Sequence, residues 1–581
     1  MKIYDEYFSL LSSYKKKYGK KTFLIYQVGS FFEVYGVEGD LDNIQKYSNI
    51  TSLAIAGKKV CVGKKQIFMC GYRDYMLDKY IQKIHPYGYV CVVYIQHEEG
   101  GKIVRKLYEI YSPATTFIDD SPTLSNNISC IWIQKTKQFM NQQFVFGISN
   151  IDIYTGKTNM CEYYENYYHN PTTYDAIEKF ISIYNPIELV MIHNVGDEMA
   201  ESIIQYLNCK SKRIHKINIE DPSNDLAKQA KNCESQIYQN EIIDKFYPYI
   251  QNKETFKYNV FEKTVSFQSL CFLMNFVEQQ NASLISRIKE PIIENENENL
   301  ICANHSLKQL NIIENTESCG LYSSVSTLLN KCKTKIGKRY MNDLLLNPIC
   351  DIDKLQNRYN AIEYYLKKKY DVSELLSNIK DIEKMITKIK ISKSTPFDYA
   401  ALYHTLSCVS KLSLSFKKDN KLFQSINIDQ KKLVTSIQST QKILDDFFNI
   451  SICEGIPNMS FEKFPEINHN IINKNKFKKL DKEATIKVDY KIKLNVIIEW
   501  LNRFFGNEQL KLGKKVKSGT EFVKIHQPAS SEMIILITKK RKSFLQEIIN
   551  NNDIKSIPLS AQSEYTNKPL KFALDLSKIT F

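Results

Sequence analysis

The chain has 581 residues, 43% of them hydrophobic and 25% charged, a balance that excludes wholesale disorder and a length that exceeds one core. Its 79 lysines and arginines against 64 acids leave a formal net charge of +15, which favours a polyanionic partner such as nucleic acid. Part of that surplus follows a lean towards Lys, Asn, Ile and Tyr, the residues of A+T-rich codons. No two of the 14 cysteines stand at CxxC spacing, which removes the close pairs that zinc sites use. The start, MKIYDEYF, does not read as a signal peptide, and the longest apolar runs have only strand length. Composition therefore predicts reduced thiols in an intracellular, unsecreted protein that does not span a membrane.

In chain order, Tyr4, Phe8, Leu11 and Tyr14 predict a helix that Gly19 ends. The stretch Phe23–Gly36, FLIYQVGSFFEVYG, then reads as a strand that meets Gly29, where the backbone can turn sharply. Phe31, Phe32 and a single acid, Glu33, follow. One reading makes this an edge strand with both Phe side chains in a core. The other takes Phe31 out of the core as an apolar wedge between stacked bases, with Glu33 accepting a hydrogen bond from a base edge. The next segment, GKKVCVGKKQIFMCGY, has strand character, and its lysines, Lys58 among them, read as a solvated hairpin, with a place near a DNA backbone as the alternative. The phosphate-loop order GxxxxGK[ST] is not met there or anywhere in the chain. A helix around Arg73–His85 and the strand Tyr89–Ile95 complete a small mixed α/β domain.

Residues 144–160 predict two strands joined at Thr155-Gly156. A helix from Tyr174 to Tyr184 and a buried strand, Ile187–His193, make a second α/β domain. The patch Glu294–Asn299 reads as a surface loop. After about residue 260 helical periodicity takes over, as in Ile379, Ile382, Met385, Ile386 and Ile389, with a new helix after Pro396. From Lys474 a basic amphipathic segment predicts a long helix. A hairpin of Thr520–His526 and Met533–Thr538 with Pro528 in its turn follows. It leads to Lys539, Lys540, Arg541 and Lys542 before another helix, and the remainder is polar and weakly patterned. The histidines, including His85, His193, His305 and His404, show no spacing that suggests a metal or a nucleophile, so no catalytic, cofactor or metal site is expected.

These segments resemble the MutS family of mismatch-repair proteins. Gly29-Ser30-Phe31-Phe32-Glu33 resembles the family's G-D-F-Y-E motif, with Ser30 and Phe32 replacing the usual Asp and Tyr. Gly71 and Tyr72 stand where a G-[VI]-P-Y run is common, and Ser112-Pro113-Ala114-Thr115 is similar to the T-P-G-T exit of the same domain. Phe146–Lys157 looks like the connector hairpin. Leu307–Ile312 resembles the L-x-x-L-E-L entry to the core, Ser326–Tyr364 the core segment, and Asp381-Ile382-Glu383-Lys384 the D-[IL]-E-R step. The weak connector likeness and the A+T-rich composition resemble the branch of giant viruses and octocoral mitochondria.

The resemblance implies a multidomain α/β plus α architecture: two small mixed α/β domains, then a mostly helical core and lever with a helical and β-hairpin clamp. Its parts would be a mismatch-binding domain over 1–118, a connector over 125–255, a core and lever over 262–470, and a clamp, cut partway, over 471–581. It implies binding of double-stranded DNA with mismatches or small loops. Phe31 and Glu33 would meet the base and Gly29 would support the turn. Lys514, Lys515, Lys517, Lys539, Lys540, Arg541 and Lys542 would lie on the DNA backbone. ATP and Mg2+ would belong to an ATPase domain beyond the clamp, so a homodimer or a partner ATPase polypeptide is expected. An architectural binder of bent or branched DNA, and an inactive front fragment of an interrupted gene, stay open as alternatives.

Overall fold

The computed structural model describes residues 3–63, 65–99, 102–117, 123–138, 141–167, 171–285, 288–294, 300, 305–313, 320, 322–368, 370–416, 423, 428–456, 471–511, 522–526, 534–550, 556–562 and 569–575. They fall into two compact units, Met1–Asp445 with Ile450–Asn468, and Asp446–Asn449 with His469–Phe581.

In the first unit, β1 (Thr22–Val28), β2 (Phe31–Val37), β3 (Ala56–Val62), β4 (Lys65–Arg73), β5 (Val90–Glu99) and β6 (Lys102–Tyr111) make one sheet of order β3-β4-β2-β1-β5-β6. Strand β1 is antiparallel to β2 and parallel to β5. Helix α1 (Ile3–Tyr18) stops at Gly19, whose φ of +85° is the left-handed cap that glycine tolerates best. Its Tyr7, Leu11 and Tyr18 cover one face of the sheet, against Leu24, Tyr26, Tyr35 and Val92. The other face packs Phe23, Ile25, Phe32 and Val34 under α2 (Asp42–Thr51) and α3 (Leu77–Ile84). With both faces covered, β1 is apolar on both sides of its alternation until Gln27.

The second sheet has the order β11-β10-β7-β8-β9-β12, from β7 (Asn127–Gln138), β8 (Asn141–Asp152), β9 (Lys157–Asn166), β10 (Glu188–His193), β11 (Arg213–Asn218) and β12 (Pro291–Ile293). Strands β7, β8 and β9 form an antiparallel meander, while β10 and β11 continue it in parallel. Helices α4 (Asp175–Tyr184) and α5 (Asp197–Leu207) cover one face. The other carries α6 (Asp225–Cys233), α7 (Gln236–Phe246), α8 (Lys253–Phe261) and α9 (Thr264–Gln280).

Helix α9 departs from the expected boundary at residue 262. It is buried at every position from Val265 to Met274 and lies on the second sheet, with Ser269 Oγ donating to Cys130 O at 2.9 Å. Periodicity shows a helix but not which layer it joins. Two residues of the sheet prepare its seat. A Cβ on Gly147 would stand 2.2 Å from the carbonyl carbon of Val265, so only glycine permits the approach. Glu162 of β9 accepts from the first backbone N–H groups of α9, Val265 at 2.7 Å and Ser266 at 2.9 Å, where a helix terminus welcomes negative charge.

Beyond β12 the first unit is helical: α10 (Ser306–Gln309), α11 (Val325–Leu329), α12 (Lys335–Leu346), α13 (Ile352–Lys368), α14 (Ser373–Ser377), α15 (Ile382–Lys390), α16 (Pro396–Ser415), α17 (Gln430–Phe447) and α18 (Ile450–Gly455). Pro396 occupies the first turn of α16, behind a capping box of Thr395 and Asp398, so it starts that helix. Arg339 of α12 grips Asp381 through two bonds of 2.7 Å and Glu383 through one of 2.8 Å, which joins two of the family-like segments.

The second unit holds α19 (Lys478–Lys511), the short pair β13 (Lys524–His526) and β14 (Ile534–Leu536), α20 (Lys539–Asn550), and the pair β15 (Ser556–Gln562) and β16 (Pro569–Asp575). Leu501, Phe505, Phe522 and Val523 form its small core. The pair β15–β16 falls where the sequence is weakly patterned. The turn expected at Pro528 and the loop over residues 295–299 lie outside the described residues.

Candidate nucleic-acid interface

The turn joining β1 to β2 is two residues long. Val28 pairs with Phe31 across it, Gly29 has φ of +61°, and Ser30 keeps a negative φ. A positive φ at the first central position alone is the type II′ pattern, which suits the twist of a hairpin and selects glycine there. Partners on two neighbouring segments hold the tip. Gly29 N donates to the Gln96 side chain, and Asp74 N donates to Ser30 O at 3.0 Å.

Alternation then sorts the three residues that follow. Phe32 turns into the core, beside Tyr72. Phe31 takes the opposite face, beyond the cover of α1, and is 43% exposed. Its partner across the β2–β4 register is Arg73, an exposed cation that no motif or spacing had singled out. A large exposed apolar ring at a braced turn thus stands next to a positive charge.

Glu33 shares the face of Phe31 but is only 7% exposed. It lies over Gly71 of β4, where an added Cβ would come within 3.3 Å of the Glu33 Cγ. Tyr35 donates to its Oε2 at 2.5 Å, and Lys58 of β3 reaches the same oxygen. Burial, then the bond and charge of Glu33, push the Tyr35 hydroxyl far above its usual pKa, which keeps it a donor. Among the described residues both bonds fall on Oε2, which leaves Oε1 to receive another donor. Lys58 is thus no solvated hairpin lysine. It lies against the Tyr35 ring, 5.1 Å from the centroid, and neutralises the acid beside the exposed Phe31. The signal in the sequence was Glu33 itself, one carboxylate in an apolar strand that needs a cation.

In the second unit, Lys539, Lys540, Arg541 and Lys542 do not precede a helix but form the first turn of α20. Arg541 turns inward, donating to Phe522 O at 2.8 Å with its guanidinium 4.9 Å from the Phe522 ring. Lys539 and Lys540 are exposed. Lys514, Lys515 and Lys517 lie outside the described residues. The four histidines singled out in the sequence have protein partners: His193 Nδ1 meets Val195 O, His305 meets Glu178, His85 meets Thr116 and His404 meets Glu454. Among the described residues no group of His, Cys, Asp and Glu could hold a metal ion, and no helix is long and apolar enough to cross a membrane.

Residues 8–120, which contain the hairpin, match the family model for MutS domain I, and residues 305–557 match that for MutS domain III. The chain is 25% identical over 455 residues to a putative DNA mismatch repair protein, a mutS homolog, of Acanthamoeba polyphaga mimivirus, covering 73% of this chain and 40% of that one. It is 23% identical over 424 residues to the DNA mismatch repair protein MutS of Borreliella burgdorferi, covering 72% and 44% respectively. With the MutS of Clostridioides difficile it shares 23% over 447 residues, 75% of this chain and 41% of the relative. The chain therefore spans about two fifths of the length of the curated relatives it matches.

Proposed function

The chain belongs to the MutS family, and from that premise we propose that it binds double-stranded DNA at mismatched base pairs in mismatch repair, with Phe31 as the inserting wedge. The observation that carries this reading is the exposure of Phe31 at the tip of a braced type II′ turn, on the same face as Glu33. A mispaired step stacks poorly, so the duplex unstacks and kinks there at lower cost than in matched DNA. Stacking of the Phe31 ring on the freed base is worth about 1–3 kcal/mol, by the scale of base–aromatic contacts.

Glu33 supplies discrimination in this reading. A carboxylate repels phosphates, and only a base edge that offers a proton to Oε1 compensates that repulsion. Lys58 weakens the repulsion by pairing with Oε2, and Ser30 adds no negative charge where the family motif carries Asp. Both favour closer binding to matched DNA and a smaller preference for the mismatch. The Lys58–Glu33 pair is also the observation that favours the second reading, an architectural binder of bent or branched DNA. Lys539, Lys540 and Lys542 are the described candidates for sequence-independent contacts to the DNA backbone.

Fluorescence anisotropy with a G·T duplex and its matched control, for wild type and Phe31→Ala, tests the proposal. Tighter binding of wild type to the G·T duplex, with a loss confined to that duplex in Phe31→Ala, is expected. Equal affinity of wild type for both duplexes removes mismatch recognition and leaves the architectural reading.

A further inference from the structure

A second basic site lies at the opposite end of β1, where the first sheet meets the second. The end of α1 and the entry to β1 supply Lys16, Lys17, Lys20 and Lys21 as one wall of a cleft of about 870 Å³. The other wall, at the edge strand β11, carries Lys212, Arg213 and Lys216. Two acids, Asp221 and Asp225, line the same cleft from the side of α6.

The junction behind these walls is fixed. Arg213 donates to Lys21 O at 3.2 Å and to Gly88 O at 3.4 Å, and a Cβ on Gly88 would stand 2.5 Å from Lys212 O. Glu188, wholly buried beneath, binds His215 of β11 at 2.6 Å and Ser112 of the exit segment at 2.7 Å. The two walls are therefore held at a set separation. Several cations are already engaged. Lys216 pairs with Glu201 at 2.5 Å, and Lys21 donates to Tyr87 O at 3.3 Å. Lys16, Lys20 and Lys212 have no carboxylate partner among the described residues. A concave surface that holds uncompensated charges of one sign concentrates their field on counter-ions.

We propose that this cleft is a second DNA-binding site, taking the phosphate backbone of duplex DNA without regard to sequence. Lysine ammonium groups are flexible point charges, suited to backbone phosphates rather than to reading base edges. The two aromatic rings in the lining, Tyr18 and His215, are buried, so the cleft offers no exposed ring on which a base of a single strand could stack. The seven residues of β1 separate this site from the Gly29 turn by about 20 Å, at the rise of an extended strand. The contact is thus independent of the wedge and of mismatch recognition.

The test uses the full chain with Lys16→Gln, Lys20→Gln and Lys212→Gln combined, all exposed positions, and a thermal melt to establish folding. Anisotropy of a matched duplex across a salt series should show the slope of log affinity against log salt reduced by about 2.7, or about 0.9 for each lost phosphate contact. The ratio of mismatched to matched affinity should stay unchanged. An unchanged slope overturns the site. Amine-reactive footprinting is the second measurement, with Lys16, Lys20 and Lys212 shielded by matched duplex in wild type and Phe31→Ala alike. Stronger shielding by a single strand of equal length overturns the duplex assignment, and no shielding by either overturns the site. Because Phe31→Ala retains this contact, a failed wedge leaves the result readable.

Discussion

The sheet-built and helical parts of the first unit hold themselves together by different means. In the second sheet, α9 is enclosed on all sides from Val265 to Met274, and apolar clusters fill both faces. In the helical part, no residue of α11, α12, α13 or α14 is buried, and α13 presents Ile352, Tyr359, Ile362 and Leu366 on an exposed stripe. Polar ties join α12, α15 and α16, such as Arg339 with Asp381 and Glu383, and Lys388 with Asp398 at 2.7 Å, and apolar burial returns in the later helices, at Ala400, Leu402, Ile437 and Leu444. The difference teaches that the sheets are stabilised by area removed from water, while α11 to α14 bury little area and are sensitive to the loss of one partner in a charged tie.

Breaking one such bond should have the largest effect. Arg339→Met leaves Asp381 without its guanidinium, while Glu383 retains Lys157 and Lys289 at 3.6 and 3.5 Å. Removing one partner of a largely buried pair costs about 3–5 kcal/mol. Hydrogen exchange should accelerate over α12 to α16 and stay slow in β7, β8 and β10. Equal acceleration in both would mean that sheet and helices unfold together, and the contrast would fail.

The converse perturbation is Gly147→Ala. The new methyl meets backbone at the start of α9, and overpacking of this kind costs about 1–3 kcal/mol. Exchange should rise along β8, β9 and α9 while α15 and α16 keep their protection. A variant as protected as wild type along α9 would show that the helix is not seated by this approach.

What was legible in the sequence follows the same division. The turn at Gly29 and the buried Phe32 follow from local rules, because a II′ turn selects glycine and alternation fixes the faces. The helices at Ile382 and Pro396 follow from period and capping. The placement of α9 was hidden, since a helical period is the same on a sheet as in a bundle. The Lys58–Glu33 pair was hidden for another reason. It crosses from β3 past β4 to β2, and a register shift between Gly57 and Cys61 sets which lysine arrives. Arg541 reads as part of a basic run, yet the Phe522 carbonyl and ring draw it inward. Only tertiary structure separates it from Lys539 and Lys540.

A smaller effect is expected at the hairpin, where a charged tie sits within the sheet-built part. Lys58→Met removes the cation that neutralises Glu33 and leaves its carboxylate to repel phosphates. Matched duplex should bind about 3–10-fold more weakly, roughly 1 kcal/mol, while the G·T duplex loses less because Oε1 still accepts from the base. The ratio of the two affinities by anisotropy should rise. A fall in both by the same factor would make Lys58 a simple phosphate contact.

The mildest way to separate the two parts is acid. Burial would raise the carboxyl groups of Asp381 and Glu383, but the bonds and charge of Arg339 hold both below their ordinary values. Such groups contribute stability that is complete above the ordinary carboxylate pKa and is lost as pH falls through their lower folded values. The sheet-built part carries carboxyls of both kinds. Glu188 is held low by His215 and Arg213 against its burial, whereas burial raises Asp152 and Glu294 above their ordinary values. A raised carboxyl has the opposite sign, since the fold gains stability as pH falls from its folded value towards the ordinary one. The signs partly cancel around the sheet and add around Arg339. Hydrogen exchange followed from pH 6 to pH 3, corrected for the intrinsic rate, should therefore show α12 and α15 opening before β7 and β10. Simultaneous opening would mean that Arg339 does not set the acid response of the helices.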